Sequence, residues 1–171
     1  MITSGEKIVR LSETQPGELV RISIREKLLY AIVLGQEGRR TILASLEALP
    51  ERTIHPFHFT PASERRVISY GSDWFAEILP GPEFAVGSSA FRWASGALRL
   101  EGGEWILAIH PGPDDHEHTE VYYNLSSNQM TAMPDQEDTA PVGRWRVWRS
   151  HSAYMDPRAE ALLTVEAVDM P

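Results

Sequence analysis

The sequence feature that most constrains the fold is a pair of glycines, Gly102-Gly103, between two runs of strand-forming residues. The runs occupy residues 97–101 and 104–110. A two-residue Gly-Gly connection suits a tight hairpin turn, because glycine tolerates positive φ. A turn closed at this point predicts the cross-strand pairs Glu101 with Glu104, Leu100 with Trp105, and Leu98 with Leu107.

The two faces of this predicted hairpin differ, because paired residues share one side of the ribbon. One face is apolar and consists of Leu98, Leu100, Trp105, Leu107 and Ile109. The other face is mixed and carries Ala97, Arg99, Glu101, Glu104, Ile106, Ala108 and His110. We therefore expect the first face to be dry and the second to be at least partly in water.

Runs of strand type recur along the chain at intervals of roughly ten residues, separated by glycine and proline turns. Residues 17–25 and 143–149 alternate between apolar and polar side chains, whereas residues 28–34 (LLYAIVL) form a continuous apolar run. This pattern predicts a mostly β fold, an antiparallel sandwich or barrel. At the end of the chain two alternatives stay open: Asp156-Pro157 starts a helix, or residues 162–168 form a last strand.

The order of these segments also predicts two units. Residues 1–61 form a small N-terminal β unit, whose sequence of strand, buried strand, glycine turn and strand resembles small SH3-like barrels. Residues 62–171 form a larger antiparallel β domain. The boundary falls at the end of a connection that contains three prolines, residues 47–61.

Charge is distributed unevenly along the chain. The sequence has 16 basic and 24 acidic residues, a net charge of −8. Residues 100–143 contain nine of the acids and neither lysine nor arginine, so this segment carries −9 and the remainder about +1. Such a field disfavours nucleic acid and anionic lipid and favours a basic partner. The alternative is that acidic loops only keep a β protein in solution.

Three features that are absent from the sequence narrow the kinds of site and the classes of protein that it predicts. There is no cysteine, so disulfides and thiolate chemistry are excluded and metal ligands would have to be His, Asp or Glu. The longest apolar runs fall far short of the ~20 residues that span a bilayer. The N-terminus has no basic region followed by a long apolar one, so we expect a cytoplasmic protein without a secretory signal.

A cluster of histidines and acids follows the hairpin. His116, His118 and Glu120 lie at alternate positions, so on an extended strand their side chains project from one face. Imidazoles with a carboxylate are typical ligands of Zn, Fe(II) or Mn. His110, at the end of the preceding strand, could add a fourth ligand. The alternative is a solvated acidic loop that holds two histidines and no metal.

Residues 112–123 (GPDDHEHTEVYY) resemble the first metal-binding motif of cupins, in which a glycine precedes a His-x-His pair, a glutamate and an aromatic strand. Residues 141–146 (PVGRWR) resemble the second motif faintly, with Arg146 where that family has a histidine. The resemblance implies a divalent transition metal held by His116, His118 and Glu120.

Other patterns point to binding surfaces. Residues 144–149 (RWRVWR) alternate cations with aromatic residues, as single-strand nucleic-acid binders do, but the acidic segment favours an edge or oligomer contact instead. No glycine-rich phosphate loop precedes a helix. The candidate binding residues are Asp114, Asp115, Glu117, Trp105 and Tyr123.

These observations predict a non-enzymatic binding or interaction protein with an acidic face. It would need no cofactor, would engage a basic protein partner rather than nucleic acid or a membrane, and could form a homo-oligomer through an edge strand. The alternative is a cupin-like metal-binding protein or metalloenzyme with a divalent transition metal. A third hypothesis is a carrier that holds a small apolar ligand among its aromatic residues.

Overall fold

The structure, a computed structural model, describes residues 6–49, 56–79, 94–111, 120–133 and 141–168. In these residues fourteen strands form three antiparallel sheets. The prediction of a mostly β fold built from antiparallel sheets, as in a sandwich, is confirmed. The described strands do not close into a barrel.

The elements follow one another in a simple order. The strands are β1 (Lys7–Arg10), β2 (Leu19–Ile24), β3 (Lys27–Glu37), β4 (Arg40–Ser45), β5 (Phe57–Phe59), β6 (Arg66–Gly71), β7 (Phe75–Ile78), β8 (Leu98–Glu101), β9 (Glu104–Ile109), β10 (Val121–Asn124), β11 (Gln129–Thr131), β12 (Pro141–Val142), β13 (Arg144–Trp148) and β14 (Leu163–Glu166). A 3₁₀ turn, Leu11–Glu13, follows β1, and a short helix, α1 (His151–Met155), follows β13.

The first sheet has the strand order β1-β6-β2-β3-β4-β5. Strand β6 comes after the boundary predicted at residue 61, yet it pairs with both β1 and β2. The division into residues 1–61 and 62–171 and the SH3-like unit stay predictions. The part of the chain that the structure describes contains no helix with the length and apolar character needed to cross a membrane.

The first sheet is buried on both of its faces. Six consecutive residues of β3, 29–34, are buried, as the continuous apolar run predicted. Because successive side chains of a strand point to opposite faces, Ile32 lies in a main core, which the first sheet shares with the other two sheets, and Val33 lies in a second core. The second core lies on the opposite face, where Leu11 of the 3₁₀ turn packs against β2, β4 and β6.

The second sheet has the order β11-β10-β9-β8-β12 and contains the predicted hairpin. Its three predicted cross-strand pairs are confirmed, and both glycines of the turn have positive φ, 57° and 87°. On the mixed face Glu104 is exposed, as expected for a face partly in water, but Arg99 is only 4 % exposed and Ile106 is buried; the apolar face, in contrast, is not dry throughout. Alternation shows which residues share a face, but it does not show what covers that face. On the apolar face, Leu100 is 44 % exposed.

The third sheet has the order β14-β13-β7. Strand β13 lies between two neighbours, so the expectation that it forms an edge contact is wrong. Trp145 and Val147 face the main core, whereas Arg144 and Arg146 point the other way, as predicted. Among the residues that the structure describes, these arginines pair with Glu166 and Glu77.

The end of the chain resolves the two alternatives. Residues Leu163–Glu166 form the last strand, and the short helix comes before it. Ser150 caps that helix by accepting a hydrogen bond from the Ala153 backbone N–H, 3.1 Å away. Asp156 therefore ends a helix and does not begin one.

Candidate functional site

A pocket of about 290 Å³ lies between the second and third sheets. Its walls come from β7, which ends the third sheet in the described residues, from β8 and β9, and from three loops, which contain Gly17, residues 72–74 and residues 125–128. The lining residues are Gly17, Ser72, Trp74, Phe75, Ala76, Ile78, Leu98, Trp105, Leu125, Ser126 and Asn128. The pocket is concave and partly open, and its lining is mainly apolar.

The apolar walls follow from strand alternation. Leu98 and Trp105 lie on the same face of the hairpin. Ala76 and Ile78 are paired with Val147 and Trp145, so they share the core-facing side of the third sheet. Leu98 is buried, but Trp105 is half-buried and Ile78 is 37 % exposed. Apolar surface at this place is therefore left in contact with solvent.

A close approach of three loops, which contain Gly17, Trp74 and Asn128, forms another wall. The indole Nε1 of Trp74 donates a hydrogen bond to the Gly17 carbonyl oxygen, 2.8 Å away. Gly17 has a φ of +89°, and a Cβ atom at this position would lie 2.2 Å from Oδ1 of Asn128. Glycine suits both conditions, because other residues rarely adopt this φ and their Cβ atom would force the Asn128 side chain to move.

The turn after β10 is fixed by one asparagine. Oδ1 of Asn124 accepts hydrogen bonds from the backbone N–H groups of Ser126 and Ser127, at 2.8 and 2.9 Å. Its Nδ2 donates to a carboxylate oxygen of Glu104 at 2.6 Å. The Leu125 N–H also donates to the Trp105 carbonyl oxygen at 2.8 Å. Leu125 is thereby held against the pocket, with polar groups beside it.

The two predicted aromatic binding residues lie in different surroundings. Trp105 lines the pocket. Tyr123 is fully buried in the main core, and its hydroxyl donates to the Val33 carbonyl oxygen at 3.3 Å. Burial raises the pKa of Tyr123 and so favours the protonated hydroxyl that donates this hydrogen bond.

Two of the four predicted metal ligands lie in the described part of the chain. His110 directly follows β9 and Glu120 directly precedes β10. Ile109 is paired with Val121, so continuing that register places His110 opposite Glu120. His110 and Glu120 are therefore brought to the same end of the second sheet.

Each of these two residues already has a hydrogen-bond partner. Nδ1 of His110 lies 2.6 Å from the Pro111 carbonyl oxygen, which leaves Nε2 as its other ring nitrogen. The Glu120 carboxylate accepts a hydrogen bond from the hydroxyl of Tyr122. Burial, and then this bond to Glu120, raise the pKa of Tyr122.

The remaining predicted site residues, His116, His118, Asp114, Asp115 and Glu117, lie outside the described residues. Within the ranges that the structure describes, no three His, Asp, Glu or Cys residues are grouped as a metal would require. The metal site stays a prediction.

Sequence analysis missed most of the pocket. Trp74, Leu125 and Gly17 are far apart in the chain and meet only through the packing of loops from different sheets. The one local signal is an aromatic residue directly after the turn at residues 71–73. Comparisons of the chain with family models, curated proteins and solved structures found no match. What supports a function is therefore the geometry of the pocket.

Proposed function

We propose that this protein is a non-enzymatic binding protein of the cytoplasm, which holds an apolar group of its ligand in the pocket between the second and third sheets. The observation that carries the proposal is the lining of that pocket. Sites for small ligands are concave and mainly apolar, with a few polar groups that fix orientation. Here Leu98, Trp105 and Leu125 supply apolar walls, and Ser126 and Asn128 supply the polar groups.

The exposed part of this lining is the source of affinity. Burial of apolar surface contributes roughly 25 cal/mol per Å². Trp105 and Ile78 both keep apolar surface accessible to water. A ligand that fills the pocket removes this surface from water without a rearrangement of the core, since Leu98 behind it is already packed.

The charge of the chain supports a basic partner. Residues 100–143, with nine acids and no Lys or Arg, include Trp105, Leu125 and Asn128 of the pocket. A negative field of this kind attracts basic proteins and disfavours nucleic acid and anionic membranes. Homo-oligomerisation through an edge strand belongs to the same proposal. Strand β1, at the end of the first sheet, is a candidate edge because its Ile8 is 74 % exposed.

The test is a titration with a neutral hydrophobic fluorescent dye, such as Nile red. We expect saturable binding to one site, weakened several-fold by Ile78→Ala, which removes part of the wall. Leu28→Ala is the matched control, because Leu28 is 40 % exposed, close to the 37 % of Ile78, but does not line the pocket. Equal loss of binding in both variants, or no binding to the unaltered protein, would refute the proposal.

A second candidate function is that of a cupin-like metalloprotein. The observation that favours it is the pairing of Ile109 with Val121, whose continuation by one residue would bring His110 opposite Glu120. The chemistry of the two residues fits a metal. One nitrogen of the His110 imidazole is hydrogen-bonded to a carbonyl oxygen, and the Glu120 carboxylate accepts a hydrogen bond from Tyr122. Metal ligands commonly have such additional hydrogen-bond partners, which orient them. His116 and His118 would complete the ligand set.

The metal hypothesis is tested by elemental analysis of the purified protein and by melting curves with and without EDTA. About one equivalent of a transition metal, lost in a His116→Ala/His118→Ala variant that still folds, would support it. Equal metal content in the variant and the parent would eliminate it.

A further inference from the structure

The segments that form the pocket are negatively charged overall. Residues 72–78, 98–105 and 125–128 contain four acids, Asp73, Glu77, Glu101 and Glu104, and one cation, Arg99. Arg146 of the neighbouring strand pairs with Glu77, so these segments and Arg146 together have four negative and two positive charges, a net −2. None of the described lining residues is Lys or Arg. A ligand that enters the pocket therefore meets a negative potential.

The two arginines near these segments, Arg99 and Arg146, lie where they do not contact a ligand in the pocket. Arg99 lies on the face of the hairpin opposite to Leu98, and it is nearly completely buried there. Arg146 lies 3.6 Å from a carboxylate oxygen of Glu77, on the side of the third sheet away from the core. Neither guanidinium is directed at the pocket, so neither can contact an anionic ligand in it.

One carboxylate lies directly beside the pocket in the chain. Asp73 is exposed and lies between Ser72 and Trp74, both of which line the pocket. Glu101 and Glu104 form the last pair of the hairpin before its turn and add negative charge at the same end of the ribbon. Their side chains lie on the other face, so they act through the field and not by contact.

Two indole rings contribute to the walls. Trp74 lies in the loop before β7 and Trp105 lies in β9, and both line the pocket. The indole ring is the most favourable aromatic partner for an organic cation, because the quadrupole of the ring places negative potential on its faces. Two tryptophans with acidic neighbours favour an ammonium group over a neutral or anionic group of the same shape.

We infer that the pocket selects a small organic cation, an alkylated ammonium group attached to an apolar body. This inference rests on the proposed function, since it names the ligand class of the same pocket. A free small molecule is the occupant, because a volume of about 290 Å³ lies at the lower end of small-molecule sites. The ammonium group lies between the indoles near Asp73, and the apolar body fills the space against Leu98 and Leu125.

The experiment compares three probes of similar size by ligand-observed NMR on the full chain: benzyltrimethylammonium, neutral neopentylbenzene and anionic benzylsulfonate. We expect the cation to bind about twofold to thirtyfold more tightly than the neutral probe, the range of cation–π interactions from exposed to desolvated sites. The anion should bind most weakly, and added salt should reduce the preference for the cation.

Two variants test whether the preference for the cationic probe arises in the pocket. Trp105→Leu keeps an apolar wall but removes an indole, so the preference for the cation should fall while the neutral probe still binds. Asp73→Asn should weaken binding of the cation at low salt. Glu160→Gln, which removes an exposed acid outside the pocket-forming segments, is the matched control and should leave the preference unchanged.

The outcomes separate the two proposals. If the neutral probe binds as tightly as the cation, the inference fails and the proposed function stands. If none of the three probes binds, both fail. Equal reduction of the preference by Asp73→Asn and Glu160→Gln would also overturn the inference, since the selectivity would then reflect net charge and not the site.

Discussion

The centre of the first sheet and the region around the pocket are both built from apolar strands, but these strands are buried in the first region and partly exposed in the second. Strand β3 has six consecutive buried residues, and its two faces pack into two different cores. Strand β7 has no fully buried residue, although three of its four residues are apolar. Apolar strands thus form a core where both faces are covered and a candidate site where a neighbouring sheet leaves space.

Two tryptophans make this contrast concrete. Trp145 of β13 is fully buried, and its Nε1 donates to the Gly96 carbonyl oxygen at 2.9 Å. Trp105 of β9 is half-buried and lines the pocket. We therefore expect substitutions of the first residue to lower stability and substitutions of the second to lower binding.

The largest predicted effect is that of Trp145→Ala. Loss of a fully buried tryptophan should lower the free energy of unfolding by about 3–5 kcal/mol, since the cavity is not refilled. Trp105→Ala should cost clearly less stability but should weaken binding of the hydrophobic dye. Urea denaturation and dye titration measure the two effects. Similar stability losses in both variants would break the distinction between core and pocket.

The second prediction concerns the two faces of the first sheet. Leu43 belongs to the second core and Leu46 to the main core, and both are almost completely buried. Each Leu→Ala substitution should lower the free energy of unfolding by about 2–5 kcal/mol. Leu28→Ala, at a 40 % exposed position, should cost much less. A cost at Leu43 as small as that at Leu28 would show that the second face is not a core.

The third prediction tests the loop contact beside the pocket. Gly17→Ala should cost more stability than Gly38→Ala, and it should also reduce dye binding. Both glycines have positive φ, which costs another residue about 1–2 kcal/mol. Only at Gly17 would the new Cβ also clash, at 2.2 Å from Oδ1 of Asn128, whereas nothing lies within 4 Å at Gly38.

The clash has its own control. Asn128→Gly, added to Gly17→Ala, should recover part of the lost stability, because it removes the clashing side chain. Thermal denaturation of the single and double variants measures this recovery. Equal costs at the two glycines, or no recovery in the double variant, would mean that the approach of Gly17 to Asn128 does not shape the pocket.

The smallest predicted effect is a pH dependence at Tyr30 in the main core. Burial, and then a hydrogen bond with Tyr70, raise the pKa of Tyr30 to about 12. The unfolded chain ionises this hydroxyl near pH 10 and the folded protein only near pH 12. The unfolded state therefore binds fewer protons in that window, so stability falls as pH rises from about 10 to about 12.

Tyr30→Phe should reduce this loss without removing it, because Tyr122 and Tyr123 also have raised pKa values. Urea denaturation at several pH values measures the dependence. Between pH 7 and 9 the stability curves of the variant and the parent should run parallel. A variant that loses as much stability as the parent above pH 10 would contradict the assignment.

The central hairpin of the second sheet and strand β13 of the third sheet were predictable because their signals are local. The turn at Gly102-Gly103 sets the register of the hairpin, and the alternation of residues 143–149 places Trp145 and Val147 on one face. The burial of Arg99 was not predictable, since it depends on what covers the second face. The pocket was missed for the same reason: its walls come from segments that the sequence does not link.

The sequence by itself determined the mostly β character of the fold, the register of the central hairpin, the buried strand β3, the acidic segment and the absence of cysteine chemistry. Each of these features depends on composition or on residues that are neighbours in the chain. Strand alternation and turn geometry follow directly from such local sequence. Only the tertiary structure decided which apolar faces become cores, because burial depends on the element that packs opposite. The approach of Gly17, Trp74 and Asn128 was decided in the same way, and it leaves the pocket beside Trp105.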